Sequence, residues 1–147
     1  MDNLNNTTLN ITEIFYSLQG EAKEVGIPTV FVRLTGCPLR CNYCDTAYAF
    51  KGNNPLSIES IMEQVEKYNT HYVCVTGGEP MAQRNCLILL DTLIEAGYKV
   101  SMETSGSIDI SPVNKKVSVV MDLKTPSSTE QSQNRYENIA LLESKDQ

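Results

Sequence analysis

Hydrophobic positions along the chain switch between two periods, and the switches mark the predicted elements. The run Thr29-Val30-Phe31-Val32-Arg33-Leu34 is β-branched and aromatic, which predicts a strand. Before it, residues 1 to about 11 read as a loose polar lead-in. Ile14-Phe15-Tyr16-Ser17-Leu18-Gln19-Gly20-Glu21 follows as an apolar patch ending in a polar turn. After the break Asn53-Asn54-Pro55, Ser57 suits an N-cap, and Ile58, Ile61, Met62, Val65 and Tyr68 recur at helical spacing. Tyr72-Val73-Cys74-Val75-Thr76 is a short apolar run of the kind buried on both faces of a sheet. Residues 81–96 read as a second helix stopped by Gly97, 98–103 as a third strand and 117–123 as a fourth. A last helix is predicted over about 131–142, with Tyr136, Ile139 and Ala140 on one face.

Strands that alternate with helices imply an α/β fold with a mainly parallel sheet and right-handed crossovers. In such sheets ligands sit beyond the carboxyl ends of the strands. Every conspicuous polar motif falls at such an end. A cysteine loop follows the first strand, Gly77-Gly78-Glu79-Pro80 the second, and Glu103-Thr104-Ser105-Gly106 the third. Asp122-Leu123-Lys124 closes the fourth. The four motifs are expected to converge on one site.

Composition narrows the classes. The 147 residues suit one domain, 1–147, and the net charge of -6 argues against a broad footprint for nucleic acid or an anionic membrane. No apolar run reaches the ~20 residues needed to span a bilayer. The polar, Asn-rich start is not a signal peptide, and five cysteines, an odd number, fit a reduced cytoplasmic setting better than a disulfide framework.

The chemistry concentrates in Cys37-x3-Cys41-x2-Cys44. Three thiolates on one short loop suit a soft metal or an iron–sulfur cluster, and three cysteines leave one iron of a four-iron cluster open to another ligand. Zinc is the competing reading. It wants a fourth ligand, and the spare ones are His71, Cys74 and Cys86, the cysteines falling in a predicted strand and helix. Arg33 has two readings as well, an outward-facing strand residue or a cation aimed at a bound carboxylate. With a single histidine in the chain, a nucleophile triad has little support.

The Cys-x3-Cys-x2-Cys loop with Tyr43 before the last cysteine, followed by Gly77-Gly78-Glu79-Pro80, resembles the radical S-adenosylmethionine (SAM) superfamily. Further motifs, Ser17-Leu18-Gln19-Gly20-Glu21, Phe31-Val32-Arg33, Cys44-Asp45-Thr46, Val75-Thr76-Gly77-Gly78-Glu79-Pro80 and Glu103-Thr104-Ser105-Gly106, are similar to those of the 7-carboxy-7-deazaguanine synthase family. That resemblance implies a [4Fe–4S] cluster on Cys37, Cys41 and Cys44. It implies S-adenosyl-L-methionine against Tyr43, Gly77, Gly78, Glu79, Glu103, Ser105, Asp122 and Lys124. It further implies Mg2+ on Thr46, and a pterin held by Leu18, Gln19, Gly20, Arg33 and Thr76, with Arg33 on the pterin carboxylate. The implied reaction is the radical-mediated contraction of 6-carboxy-5,6,7,8-tetrahydropterin to 7-carboxy-7-deazaguanine with loss of ammonia, in queuosine and 7-deazapurine biosynthesis. An electron donor such as flavodoxin or ferredoxin and a homodimer come with it. No catalytic side chain is implied, since the radical derives from the cofactor.

Superfamily barrels carry six strands where the pattern here predicts four. The expected architecture is therefore a partial, incomplete (βα) barrel whose C-terminal strands are missing and whose last strand has an open edge. Two alternatives remain. One is another radical SAM enzyme, such as a glycyl-radical activating enzyme. The other is a non-catalytic zinc-binding module or inactive fragment.

Overall fold

A computed structural model describes residues 4–147. Its centre is a six-stranded sheet of β1 (Thr8–Leu18), β2 (Pro28–Leu34), β3 (Pro55–Ser57), β4 (Tyr72–Gly77), β5 (Lys99–Thr104) and β6 (Ser118–Met121). The spatial order is β3-β1-β2-β4-β5-β6. β2, β4, β5 and β6 run parallel, while β1 is antiparallel to both β2 and β3. The result is an unclosed α/β sheet, mainly parallel, as the alternating pattern predicts.

Two helices, α1 (Ile58–Val65) and α2 (Cys86–Glu95), join the parallel strands. Ser57 caps α1 by accepting the Ser60 amide at 3.1 Å. Both helices pack on one sheet face, where Val30, Val32, Leu34, Val75 and Met102 meet Ile58, Ile61, Leu89, Leu90 and Leu93. Since side chains alternate along a strand, the residues between these, Phe31, Arg33, Cys74, Thr76, Ser101 and Glu103, project from the opposite face. That second face carries the polar chemistry.

Several elements differ from the sequence pattern. Six strands replace the expected four, because β1 occupies much of the expected lead-in and apolar patch, and β3 adds a short edge. The part of the lead-in over residues 1–3 lies outside the described residues. In β1, Leu9 and Ile11 are buried between Asn10 and Thr12, a period-two signal hidden by Asn- and Thr-rich neighbours. The second helix starts at Cys86, after a separate 3-10 turn at Pro80–Ala82. The predicted helix over 131–142 is two 3-10 pieces, Gln131–Gln133 and Tyr136–Leu141. There Tyr136 and Ile139 are exposed, and the buried residue is Asn138, whose amide donates to the Gly106 and Ile108 carbonyls. A side chain that holds a neighbouring loop replaces the apolar face a helix would have needed.

The outer edge of β6 is lined by the chain end. The Gln147 amide donates to the Val119 carbonyl at 2.9 Å, and the Met121 amide to the Gln147 carbonyl at 2.7 Å. The expected open edge therefore carries two ladder bonds. Among the described residues no helix is long and apolar enough to cross a membrane.

Candidate functional site

The carboxyl ends of β2, β4, β5 and β6 surround a cleft of about 870 Å³. All four motif groups reach its wall. From the β1 end come Gln19 and Gly20, from β2 Arg33, and from the cysteine loop Cys37, Cys41, Tyr43, Cys44 and Thr46. β4 and the turn after it supply Thr76, Gly77 and Gly78; β5 and the residue after it supply Glu103 and Ser105; and the segment after β6 supplies Asp122 and Lys124. Leu18 and Glu79 do not line it. Leu18 points away at the end of β1 and is 61 % exposed, while Glu79 is fully buried behind the wall.

Glu79 has a different task. Its carboxylate accepts hydrogen bonds from the Met81 amide, the Thr104 hydroxyl, and the Ser105 amide and hydroxyl at 2.6–3.0 Å. A buried carboxylate needs such a set of donors, and in return it fixes the end of β5 against the turn after β4. The glycines before it allow a backbone approach. A Cβ on Gly78 would collide with the Gly36 carbonyl oxygen and stand 2.8 Å from the Cys37 Cβ; one on Gly77 would stand 2.8 Å from the Leu34 amide nitrogen. The turn is thereby pressed onto the root of the cysteine loop, where the Gly78 amide donates to Leu34 and the Glu79 amide to Gly36.

The three loop cysteines are free thiols of intermediate burial. Burial raises Cys37 and Cys41 above the ordinary thiol range, and the Lys124 ammonium partly offsets this at Cys41. Among the described residues no group of three His, Cys, Asp or Glu side chains is gathered into a finished metal site. The donor chemistry nevertheless fits a cluster and disfavours zinc. Three thiols from one loop line one open space, whereas Cys74 and Cys86 are fully buried in β4 and α2. Burial pushes Cys86 up to about 12 and Cys74 higher still, which keeps both as neutral, inert thiols. His71 precedes β4, at the sheet end away from the loop, and its carbonyl accepts the Lys99 amide. Among the described residues, none of His71, Cys74 and Cys86 therefore supplies the fourth member of a tetrahedral zinc set.

Arg33 projects into the cleft with its side chain 14 % exposed. Its Nε donates to Glu13 Oε1 at 2.8 Å, across the β1–β2 pair, and the Tyr48 hydroxyl donates to the same oxygen at 2.7 Å. Burial alone would raise the Glu13 carboxyl, but the Tyr48 and Arg33 hydrogen bonds and the Arg33 charge hold it below its ordinary value. The stacked rings of Phe15 and Phe31, 4.9 Å between centroids, form the apolar floor beside it. Among the described residues, neither terminal Nη of Arg33 has a hydrogen-bond partner, so the fork is open to a carboxylate.

On the neighbouring strands, the Thr76 hydroxyl donates to Glu103 Oε2 at 2.8 Å, and the Gln19 amide reaches Glu103 Oε1 at 3.5 Å. Glu21 joins them. The Glu103 charge, then burial, lifts its carboxyl above the ordinary value. Glu21, Asp45 and the Glu13–Tyr48 support of Arg33 are cleft features that the residue-by-residue reading missed. Glu21 stood at the end of a quoted motif, which was the available signal. Opposite them, Lys124 pairs with Asp122 at 2.6 Å and lies over the Tyr43 ring at 5.9 Å. Burial would lower the Lys124 ammonium, but Asp122 outweighs it and holds it above its ordinary value. Thr46 sits with its hydroxyl 3.8 Å from the Cys44 sulfur.

Known proteins resemble this chain in sequence and in fold. The chain is 43% identical over 136 residues to a 7-carboxy-7-deazaguanine synthase of Koribacter versatilis, covering 91% of this chain and 60% of that protein. It is 42% identical to the synthase of Methanospirillum hungatei, covering 91% and 56%, and 36% identical to that of Thermoplasma acidophilum, covering 92% and 66%. It thus spans roughly three fifths of the length of the first two. The crystal structure of QueE from Escherichia coli superposes with a TM-score of 0.74 at 24% identity, covering 87% of this chain and 70% of that one, which is a likeness of fold. The model of the radical SAM superfamily matches residues 22–128, a span that takes in the cysteine loop, the glycine turn and the ends of β5 and β6, and the chain belongs to that superfamily.

Proposed function

We propose that this chain acts as a 7-carboxy-7-deazaguanine synthase, converting 6-carboxy-5,6,7,8-tetrahydropterin to 7-carboxy-7-deazaguanine with release of ammonia, in queuosine and 7-deazapurine biosynthesis. One observation carries the reading: the cleft that holds the three cysteines also holds an arginine fork kept open and oriented from behind by Glu13. When bound, the [4Fe–4S] cluster and S-adenosyl-L-methionine supply the one-electron chemistry that begins the rearrangement. The protein's own residues bind, orient and exclude water.

In this reading Cys37, Cys41 and Cys44 hold the cluster. Gly77 and Gly78 offer a bare backbone to the methionine end of S-adenosyl-L-methionine, and Tyr43, Ser105, Asp122 and Lys124 flank the rest of it. Arg33 takes the pterin carboxylate bidentately. Gln19, Gly20 and Thr76 then meet the pterin ring, while Glu103, held by Thr76 and Gln19, belongs with the S-adenosyl-L-methionine contacts. Thr46 is the side chain through which Mg2+ would be held, a hard cation suited to oxygen ligands beside a substrate carboxylate. Leu18 and Glu79, away from the wall, serve as support. The reading includes one domain over 1–147, a flavodoxin- or ferredoxin-like electron donor, a homodimer and a cytoplasmic setting.

The test is anaerobic reconstitution followed by incubation with S-adenosyl-L-methionine, Mg2+ and dithionite, with and without the pterin, and mass detection of 7-carboxy-7-deazaguanine. Product is expected. Cleavage to 5′-deoxyadenosine without that product would mean that the site acts on a different substrate and would overturn the assignment.

A further inference from the structure

The cysteine loop is gripped from across the sheet. β2, which feeds the loop, and the edge strand β6 are separated by β4 and β5. Residues 125–130 nevertheless leave β6 and reach the loop. Either side of Cys41, two backbone amides of the loop end on this strap: Arg40 N–H donates to Glu130 Oε1 at 2.6 Å, and Asn42 N–H to the Ser128 carbonyl at 3.1 Å.

The strap is constructed to present those two acceptors. Ser128 is fully buried; its hydroxyl donates to the Thr125 carbonyl at 2.6 Å and accepts the Glu130 amide at 3.0 Å. Thr129 takes a left-handed φ of 66°, which a branched residue adopts only at a cost, and its hydroxyl donates to the Ser128 carbonyl at 2.6 Å. From the other side the Arg40 guanidinium lies 4.2 Å from the Phe50 ring centroid, and its Nη1 donates to the Cys37 and Leu39 carbonyls at 2.6 Å each. The stretch between Cys37 and Cys41 is thus fixed by Arg40 from within and by Glu130 from without.

We propose that residues 125–130 clamp the cluster loop across the mouth of the half-barrel, and that Glu130 is a positioning residue that fixes Cys41 and tunes the reduction potential of the cluster. Two effects follow from its one carboxylate. Its reach holds the Arg40 amide, so the loop is shaped before iron arrives and iron escapes more slowly. Its charge, on the acceptor of the amide that precedes Cys41, opposes the arriving electron and lowers the potential, by an amount that solvent limits because this hydrogen bond is exposed. The proposal rests on the cluster that the superfamily implies and not on the pterin, so it stands or falls independently of product formation.

Two conservative variants of the full chain, reconstituted anaerobically, separate the effects. Glu130→Asp keeps the charge but is one methylene too short for the Arg40 amide. Chelator is expected to strip its iron about tenfold faster than from the wild type, the loss of one charge-assisted hydrogen bond. Glu130→Gln keeps the reach and drops the charge. Its iron loss should stay within about twofold of the wild type. At a potential poised at the wild-type midpoint, the electron-paramagnetic-resonance signal of its reduced cluster should rise about threefold or more relative to its oxidised fraction. Wild-type iron loss in Glu130→Asp overturns the clamp, and an unchanged reduced fraction in Glu130→Gln overturns the tuning. A merely structural contact would leave the potential where it was.

Discussion

The two faces of the sheet are made of the same strands and obey opposite rules. Toward the helices, Val30, Val32, Leu34, Val75 and Met102 are fully buried and interchangeable in kind, their contribution set by area and fit. Toward the cleft, Arg33, Thr76 and Glu103 are each tied to a named partner at a stated distance, beside the stacked Phe15 and Phe31 rings. One face is therefore a source of stability with no chemistry. The other is chemistry held in place by hydrogen bonds, each of which is worth only about 0.5–1.5 kcal/mol net. The contrast implies that stability and ligand binding should respond to different substitutions.

The largest effect should come from the helix side. Leu90→Ala, at a fully buried position, is expected to cost about 2–5 kcal/mol in denaturant melts. Cofactor affinity measured well below the melting point should stay within about twofold; a larger change would mean that the two faces are coupled. Gly78→Ala sits where the faces meet the loop. The new methyl must displace the Gly36 carbonyl or the Cys37 Cβ, so iron uptake should fall by about tenfold or more, with a stability loss of about 1–3 kcal/mol. Iron and sulfide analysis beside a thermal melt reads both.

Glu13→Gln tests the cleft side alone. It keeps an acceptor for Arg33 but removes the charge that orients it. Under the proposed function the pterin should bind about 3- to 10-fold more weakly, with S-adenosyl-L-methionine unaffected. Equal weakening of both ligands would break the assignment of Arg33 to the pterin.

The smallest effect concerns Glu21 and pH. A carboxyl raised in the folded chain binds its proton more tightly there than in the unfolded chain. Stability from this group is therefore present below the unfolded carboxylate range and lost as pH rises through the raised folded value. Glu21→Gln should melt slightly above the wild type at neutral pH, and the gap should close near pH 4. Because Glu21 is exposed, solvent screens the interaction and the gap should be small. A gap that widens on acidification would reverse the sign and remove Glu103 as the cause.

What the sequence disclosed follows the same division. The parallel strands and α1 were legible because burial on the helix side writes a strong period into Val, Ile and Leu positions. β1 was missed because its buried Leu9 and Ile11 alternate with Asn and Thr, which hides the strand period even though its partner β2 follows closely in the chain. The 131–142 segment was misread because a pattern of apolar positions cannot show that Asn138 is the buried member. In the cleft, the cysteines, glycines, Arg33 and Thr76 were accessible through motif spacing. Glu79 was placed in the wall by its position in a motif, whereas its hydrogen bonds to Thr104 and Ser105 turn it inward. Support such as Glu13 behind Arg33 depends on cross-strand register, which no local stretch of sequence records.

The grip on the cysteine loop has a consequence in time. Arg40 and the Glu130 that receives its amide are 90 residues apart. During synthesis at about 5–20 residues per second, the thiols emerge about 5–20 s before their clamp exists. The parallel pairing that brings the two together is non-local and correspondingly slow. For that interval the nascent cysteines are unshaped and open to oxidation or to the wrong metal. Delivery of iron and sulfide is therefore best matched to a chain whose residue 130 has already been made and folded back, and brief oxygen exposure should harm newly made molecules more than mature ones.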